Sequence, residues 1–175
     1  GITAGRCTAT ISRNGDLVGR MYVEASVALN AAADNVNANP GSALIKEVEL
    51  EIGGQKIDKQ YGHWMEVWAE LTEPNPSNRT AVTANDAGGT RTTGTKFQNM
   101  SGYGGVAGQQ DTTVAAVEKM FIPLQFWFCR NPGLALPLIA LQYHEVKLNL
   151  TFAASGAVAA STPTLTANLF VDYIY

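Results

Sequence analysis

Phe121-Ile122-Pro123-Leu124-Gln125-Phe126-Trp127-Phe128-Cys129-Arg130-Asn131-Pro132-Gly133-Leu134-Ala135-Leu136-Pro137-Leu138-Ile139-Ala140-Leu141 is the most apolar stretch of this chain. A bilayer-spanning helix needs roughly 20 consecutive apolar residues. Pro123, Pro132 and Pro137 interrupt this stretch, so it must lie in a core or against a neighbour. Its first half, Met120 to Phe128, is dense in aromatic and branched side chains and predicts a strand buried on both faces. Arg130-Asn131-Pro132-Gly133 predicts a tight turn, because Pro presets one backbone angle and Gly tolerates a positive one. The remainder returns as a second apolar segment, punctuated by Pro137, and leads into a strand that begins near Tyr143.

Strands flank this unit on both sides. Cys7, Ala9 and Ile11 alternate with Arg6, Thr8, Thr10 and Ser12, the period-two pattern of a half-buried strand. Arg13-Asn14-Gly15-Asp16 predicts a hairpin turn, with its partner strand running from Leu17 to about Leu29. Met21, Val23, Ala25, Val27 and Leu29 share one face of that strand, and Arg20, Glu24 and Ser26 the other. After a loop over 30–42, turned by Asn39-Pro40-Gly41, Val48, Leu50 and Ile52 alternate with Glu47, Glu49 and Glu51, a strand with one wet face. Gly53-Gly54 turns the chain into a short strand over 55–57. Asp58 then reads as a helix N-cap, followed by Tyr61, Trp64, Met65, Trp68 and Leu71 at helical spacing and by Pro74 and Pro76, which end the helix. Residues 72–117 have no hydrophobic period and predict a long loop, functional or mobile or else a disordered insertion. Val146, Leu148, Leu150 and Phe152 mark one more strand, and Leu165, Ala167, Leu169, Val171 and Tyr173 the last. Seven or eight strands, one helix and no β-α-β rhythm predict an all-β fold: an antiparallel eight-stranded jelly-roll sandwich with one short helix and a long surface loop.

The chain has 175 residues, of which 46% are hydrophobic and 15% charged. That suffices for a single domain over 1–175 with a real core, but the low charge suggests that other subunits cover part of the surface. The net charge of -3 and the absence of a Lys/Arg cluster argue against direct contact with nucleic acid. No signal, transit or membrane-spanning segment is evident. A start at Gly1 without Met and an end on the strand-like Tyr175 suit an excised piece of something longer. Cys7 and Cys129 are expected as two buried thiols rather than a disulfide. Two cysteines do not make a zinc site, which takes about four closely spaced ligands.

Catalytic patterns fail in turn. His63 has Glu66 three residues on, but reads better as a surface or capping residue. His144 and Glu145, adjacent at a strand start, point to opposite faces. Glu47, Glu49 and Glu51 share one strand face and read as a solvated or interface surface, since a catalytic pair needs two differing environments. No G-x-S-x-G elbow and no phosphate-binding loop is present. The chain is therefore expected to have no catalytic residues, no cofactor and no metal. Tyr61, Trp64 and Trp68 could form a sugar-stacking platform, though helical spacing favours a packing stripe. Asn78 and Asn99 head N-x-[ST] sequons within the long loop and are candidate glycosylation sites. Asn149 heads a third, within a strand.

Three segments carry a resemblance. Ile11-Ser12-Arg13-Asn14-Gly15-Asp16-Leu17, Val48-Glu49-Leu50-Glu51-Ile52-Gly53-Gly54-Gln55-Lys56-Ile57-Asp58-Lys59 and Pro132-Gly133-Leu134-Ala135-Leu136-Pro137-Leu138-Ile139-Ala140-Leu141-Gln142-Tyr143-His144-Glu145-Val146 resemble the major capsid proteins of the large icosahedral double-stranded-DNA viruses, the chlorella viruses and iridoviruses among them. The closing Val171-Asp172-Tyr173-Ile174 is similar too. The resemblance implies the first half of a double jelly roll, whose homotrimers form pseudo-hexagonal capsomers of a virion shell. It implies partners in the chain's own copies, in neighbouring capsomers and in minor capsid proteins. It further implies assembly in the host cytoplasm, with an inner viral membrane nearby but no direct insertion, and places the long loop at the outward face. Phe126, Trp127, Phe128, Leu136 and Leu138 are then the candidate subunit or domain interface: one face of their stretch packs in the sandwich and the other meets a helix, the second jelly roll or a neighbour. A lectin-like carbohydrate-binding module, using Trp64, Trp68 or Tyr103, is the alternative.

Overall fold

A computed structural model of the chain describes residues 5–28, 35–75, 94–105, 109–110, 117–159 and 163–175. Its strands are β1 (Arg6–Thr10), β2 (Leu17–Ala28), β3 (Asn35–Val36), β4 (Ile45–Ile52), β5 (Gln55–Tyr61), β6 (Gln109–Gln110), β7 (Val117–Pro123), β8 (Leu136–Pro137), β9 (Val146–Phe152) and β10 (Thr164–Ile174). Its helices are α1 (Pro40–Leu44), α2 (Gly62–Thr72), α3 (Lys96–Ser101), α4 (Trp127–Arg130) and α5 (Ser155–Val158). One sheet runs β1-β9-β4-β5; the other runs β10-β2-β7, with β8 also pairing to β2. The two sheets thus hold eight strands, all paired antiparallel, and β3 pairs separately with β6. Following only the strands of these two sheets along the chain, the path changes sheet at β1 to β2, β2 to β4, β5 to β7, β8 to β9 and β9 to β10. That crossing pattern is the jelly-roll sandwich.

The core lies between the two sheets. Met21, Val23, Ala25 and Val27 of β2 meet Val48 and Leu50 of β4 and Leu148 and Leu150 of β9 in one cluster. The alternation read from the sequence sets these faces, because a strand sends successive side chains to opposite sides. The Asn14-Gly15 turn behaves differently from the expected hairpin. β1 pairs with β9 rather than with β2, so the turn carries the chain from one sheet to the other. Gly15 is needed there for space: a Cβ at that position would stand 2.9 Å from Tyr173 Cβ.

The apolar stretch is also not the expected strand. β7 stops at Pro123, and residues 127–130 form the single turn α4. Pro lacks an N–H for the ladder, and the chain then turns inward. The Gln125 carbonyl accepts from Gln60 Nε2 (3.0 Å) and from Arg130 Nη2 (3.0 Å), pinning the corner. Phe126 and Phe128 stack at 5.7 Å inside the core, with Trp127 edge-on to Phe128 at 5.1 Å. The predicted turn does form: Asn131 Oδ1 accepts from the Gly133 amide at 2.9 Å and caps a 3-10 turn over Pro132–Leu134.

Among the described residues five short helices stand where one was expected. Asp58 lies in β5, and α2 starts at Gly62 without a side-chain cap. α3 falls inside the expected loop and carries a reciprocal cap: Thr95 Oγ1 accepts from the Gln98 amide, and Gln98 Oε1 from the Thr95 amide. This is the T-x-x-Q capping box, legible in the sequence but masked by its Gly- and Thr-rich surroundings.

Candidate interaction surfaces

The outer face of the β1-β9-β4-β5 sheet carries a charge lattice. Opposed residues form rows across it, Thr8–Asn149–Glu49–Lys59 and Thr10–Lys147–Glu51–Lys56. Lys59 Nζ lies 2.6 Å from Glu47 and 3.3 Å from Glu49, and Arg6 reaches Glu49 at 2.9 Å. Thr151 Oγ1 donates to Glu47 and Asn149 Nδ2 to Glu51, both at 3.2 Å. The hydrogen bond from Lys59 lowers the Glu47 pKa, and the same bond raises that of Lys59. All three carboxylates have fixed cationic or hydrogen-bonding partners, so this face resists acid/base work and reads as a rigid wall.

The five residues expected at an interface divide. Phe126, Phe128, Leu136 and Leu138 are at most 5% exposed within this one chain. They form its own core and leave no surface for a neighbour, which corrects the expectation. Trp127 is half-buried and packs on that core. Exposed apolar side chains are found instead on α2, as well as at Leu134, Ile139 and Tyr143 beyond α4. The inward side of α2 is Gly62, Met65 and Ala69, not the aromatic stripe. Gly62 lets the helix press on the Ser42 and Ile45 carbonyls, which a Cβ would overlap. The small face therefore goes in, and Tyr61, Trp64, Val67 and Leu71 stay exposed, Leu71 at 75%. Trp68 is half-buried, 6.0 Å from Trp64, with the Arg130 guanidinium 4.0 Å above its ring.

Other expected residues fall apart rather than together. Tyr103 is fully buried, with its hydroxyl 3.7 Å from Met65 Sδ, so it cannot join a sugar platform with Trp64. Glu66 accepts from the Gly104 and Gly105 amides (2.8 and 3.2 Å) rather than from His63, which is exposed. His144 is exposed and sits against Gly53. Among the described residues no group of three or more His, Cys, Asp or Glu could hold a metal ion, and no helix is long and apolar enough to cross a membrane. Cys129 is buried, and loss of water pushes its thiol up to about 11, so it stays protonated at neutral pH. Cys7 is exposed, contrary to the expected buried pair, because it lies on an edge strand. Cys129, Trp68 and Arg130 border an open cavity of about 480 Å³ that also reaches Arg20, Phe97 and Gln125. Asn99 is half-buried within α3; Asn78 lies outside the described residues. Asn149 is buried in β9 and hydrogen-bonded to Thr8 at 2.6 Å, which closes that sequon to modification.

A family model described as "Major capsid protein N-terminus" matches residues 3–175. The chain is 49% identical over 174 residues to the major capsid protein of Pyramimonas orientalis virus, covering 97% of this chain and 40% of that protein. It is 35% identical over 180 residues to the major capsid protein of Paramecium bursaria Chlorella virus 1, covering 97% and 36%. Among solved structures it resembles PBCV-1 VP54, with a TM-score of 0.72 at 32% identity over 99% of this chain and 39% of that one. It also resembles the subunit of a quasi-atomic model of the PBCV-1 virus capsid, with a TM-score of 0.69 at 32% identity and the same coverage. The chain thus spans about two-fifths of the length of these relatives.

Proposed function

The chain belongs to the major capsid protein family, and from that premise we propose that it is a structural subunit of an icosahedral viral shell, the first of two jelly rolls, working by contact and not by catalysis. The observation that carries this reading is the match of the whole sandwich, over 99% of the chain, to a subunit of an assembled capsid. The physical features support it. The charge lattice stiffens one sheet's outer face, and the exposed α2 surface supplies apolar area of the kind permanent interfaces use. The partners are the chain's own copies in a homotrimeric pseudo-hexagonal capsomer, neighbouring capsomers and minor capsid proteins. The net charge of -3 disfavours nucleic acid as a direct partner. The working place is the virion, with assembly in the host cytoplasm near, but not within, an inner viral membrane. Glycan attachment at Asn78 or Asn99 belongs to the same reading; Asn99 must leave the half-buried position it holds in α3 to be modified.

The experiment is sedimentation of the purified full-length gene product, with electron microscopy of the same sample. A trimer with a pseudo-hexagonal outline is expected. A persistent monomer under all assembly conditions, or turnover of a substrate, would overturn the reading. The lectin alternative has less support, since Tyr103 is buried and Arg130 covers one face of Trp68; specific sugar binding on a glycan array would revive it.

A further inference from the structure

Two cavities beside the β10-β2-β7 sheet meet to form one groove. The larger, of about 480 Å³, is bordered by Trp68, Phe97, Met100, Leu124 and Arg130; the smaller, of about 250 Å³, by Gly19, Pro132, Asp172 and Ile174. Arg20 and Cys129 line both. The groove combines apolar walls with two guanidinium groups that no described carboxylate neutralises. Arg130 is held by the Gln125 carbonyl, to which its Nε and Nη2 donate at 3.2 and 3.0 Å, and by the Trp68 ring 4.0 Å away. These contacts orient the guanidinium and leave its charge unmatched. Arg20 is exposed and forms no ion pair with a described residue. Glu73 and Asp172 also border the groove, yet neither pairs with either arginine. An oriented, unmatched guanidinium suits a carboxylate, because its planar fork meets both carboxylate oxygens.

We propose that the polypeptide immediately following Tyr175 in the full gene product turns back into this groove, setting a carboxylate between Arg20 and Arg130 and an apolar side chain against Phe97 and Met100. The place where the chain leaves the sheet singles out this occupant. β10 ends at Ile174, which itself lines the smaller cavity, and Tyr175 beyond it is 86% exposed. The continuing chain therefore starts at the mouth of the groove. Gly5 lies at the other end of β1: its carbonyl accepts from the Phe152 amide, whereas the Ile174 carbonyl accepts from the Asp16 amide. A segment ahead of Gly5 would have to travel the length of the sandwich to arrive. A segment tethered at the mouth is present at an effective concentration of roughly millimolar, which a free partner must match. The inference rests on the capsid reading in one respect, that the protein continues past Tyr175. The matching family model is the N-terminal part of such proteins, and the chain covers 40% of one relative.

Two measurements on the full-length gene product test this. In the first, Met100→p-benzoylphenylalanine, at the exposed rim of the groove, is photolysed in a mixture of isotopically heavy and light protein. The captured peptide should begin just after Tyr175, belong to the same chain and contain Asp or Glu. Capture of a peptide from another copy, from elsewhere in the chain or without an acidic residue overturns the proposal, as does the absence of any capture. In the second, hydrogen exchange is followed in the peptide after Tyr175. Its amides should exchange at least about tenfold more slowly than in the urea-unfolded protein, because a docked segment exchanges only after local opening. Arg20→Gln should speed that exchange at least about fivefold, since it deletes one charge-assisted hydrogen bond. Arg20 is exposed, so its replacement leaves the sandwich itself undisturbed. Unprotected amides in the parent protein, or equal exchange in Arg20→Gln, would refute the docking. The capsid reading is judged by the trimer and survives any of these results.

Discussion

Gly62 decides which side of α2 faces inward. Its missing side chain is the space occupied by the Ser42 and Ile45 carbonyls, and backbone oxygens cannot move aside cheaply. Gly62→Ala should lower stability by about 1–3 kcal/mol through overpacking, measured by the urea midpoint. A loss under about 0.5 kcal/mol, the range of an ordinary surface change, would show that α2 is loosely seated. Phe128 poses a sharper question, since the apolar stretch read as an interface. It is 1% exposed in the single chain and stacks on Phe126. Phe128→Ala should therefore cost about 3–5 kcal/mol of folding stability, visible in a chain that has not assembled. Loss of assembly with folding stability intact would return Phe128 to an interface role.

The elements concerned are the charged sheet face and α2. Glu47 has a lowered pKa because Lys59 donates to it. A carboxylate depressed in the folded state contributes stability above its unfolded pKa, about 4.3, and loses that contribution as pH falls through the folded value. Lys59, raised by the same bond, contributes fully below about pH 10.4 and loses its share as pH climbs through its folded value. The melting temperature should hold near neutrality and fall below about pH 4, and Glu47→Gln should flatten part of that acid limb. An unchanged limb in Glu47→Gln would assign acid sensitivity to other carboxylates. α2 separates folding from assembly. Trp64 and Leu71 are 41% and 75% exposed, so Trp64→Ser with Leu71→Ser should move folding stability by less than about 1 kcal/mol. The trimer proposed above should dissociate at higher concentration in this variant, as sedimentation would record. Equal trimer affinity would remove α2 from the contact.

For the whole molecule the governing quantity is low charge, 15% of residues. A shell subunit folds and associates as linked events, and anything that binds only the folded state raises its apparent stability by mass action. A melting temperature of the full-length product that rises with protein concentration is expected, read by calorimetry at several concentrations. A value independent of concentration would describe a self-sufficient monomer.

The sequence by itself determined the period-two faces. Met21, Val23, Ala25 and Val27, and Val48 and Leu50, are buried as their alternation required, because a strand's side-chain period is fixed by backbone geometry. The Asn131-Pro132-Gly133 turn is likewise local and formed as written, and the quoted motifs led to the family. Tertiary structure alone decided three things. Asn14-Gly15 joins two sheets because β1 found β9, a partner well over a hundred residues away, which no turn residue specifies. Phe126 to Phe128 became a corner rather than a strand because Gln60, brought in by β5, holds the Gln125 carbonyl to which Arg130 of α4 also donates. α2 turned its aromatics outward because the carbonyls beneath it admit only glycine. Each of these depends on which distant backbone lies alongside, and local pattern carries no record of that.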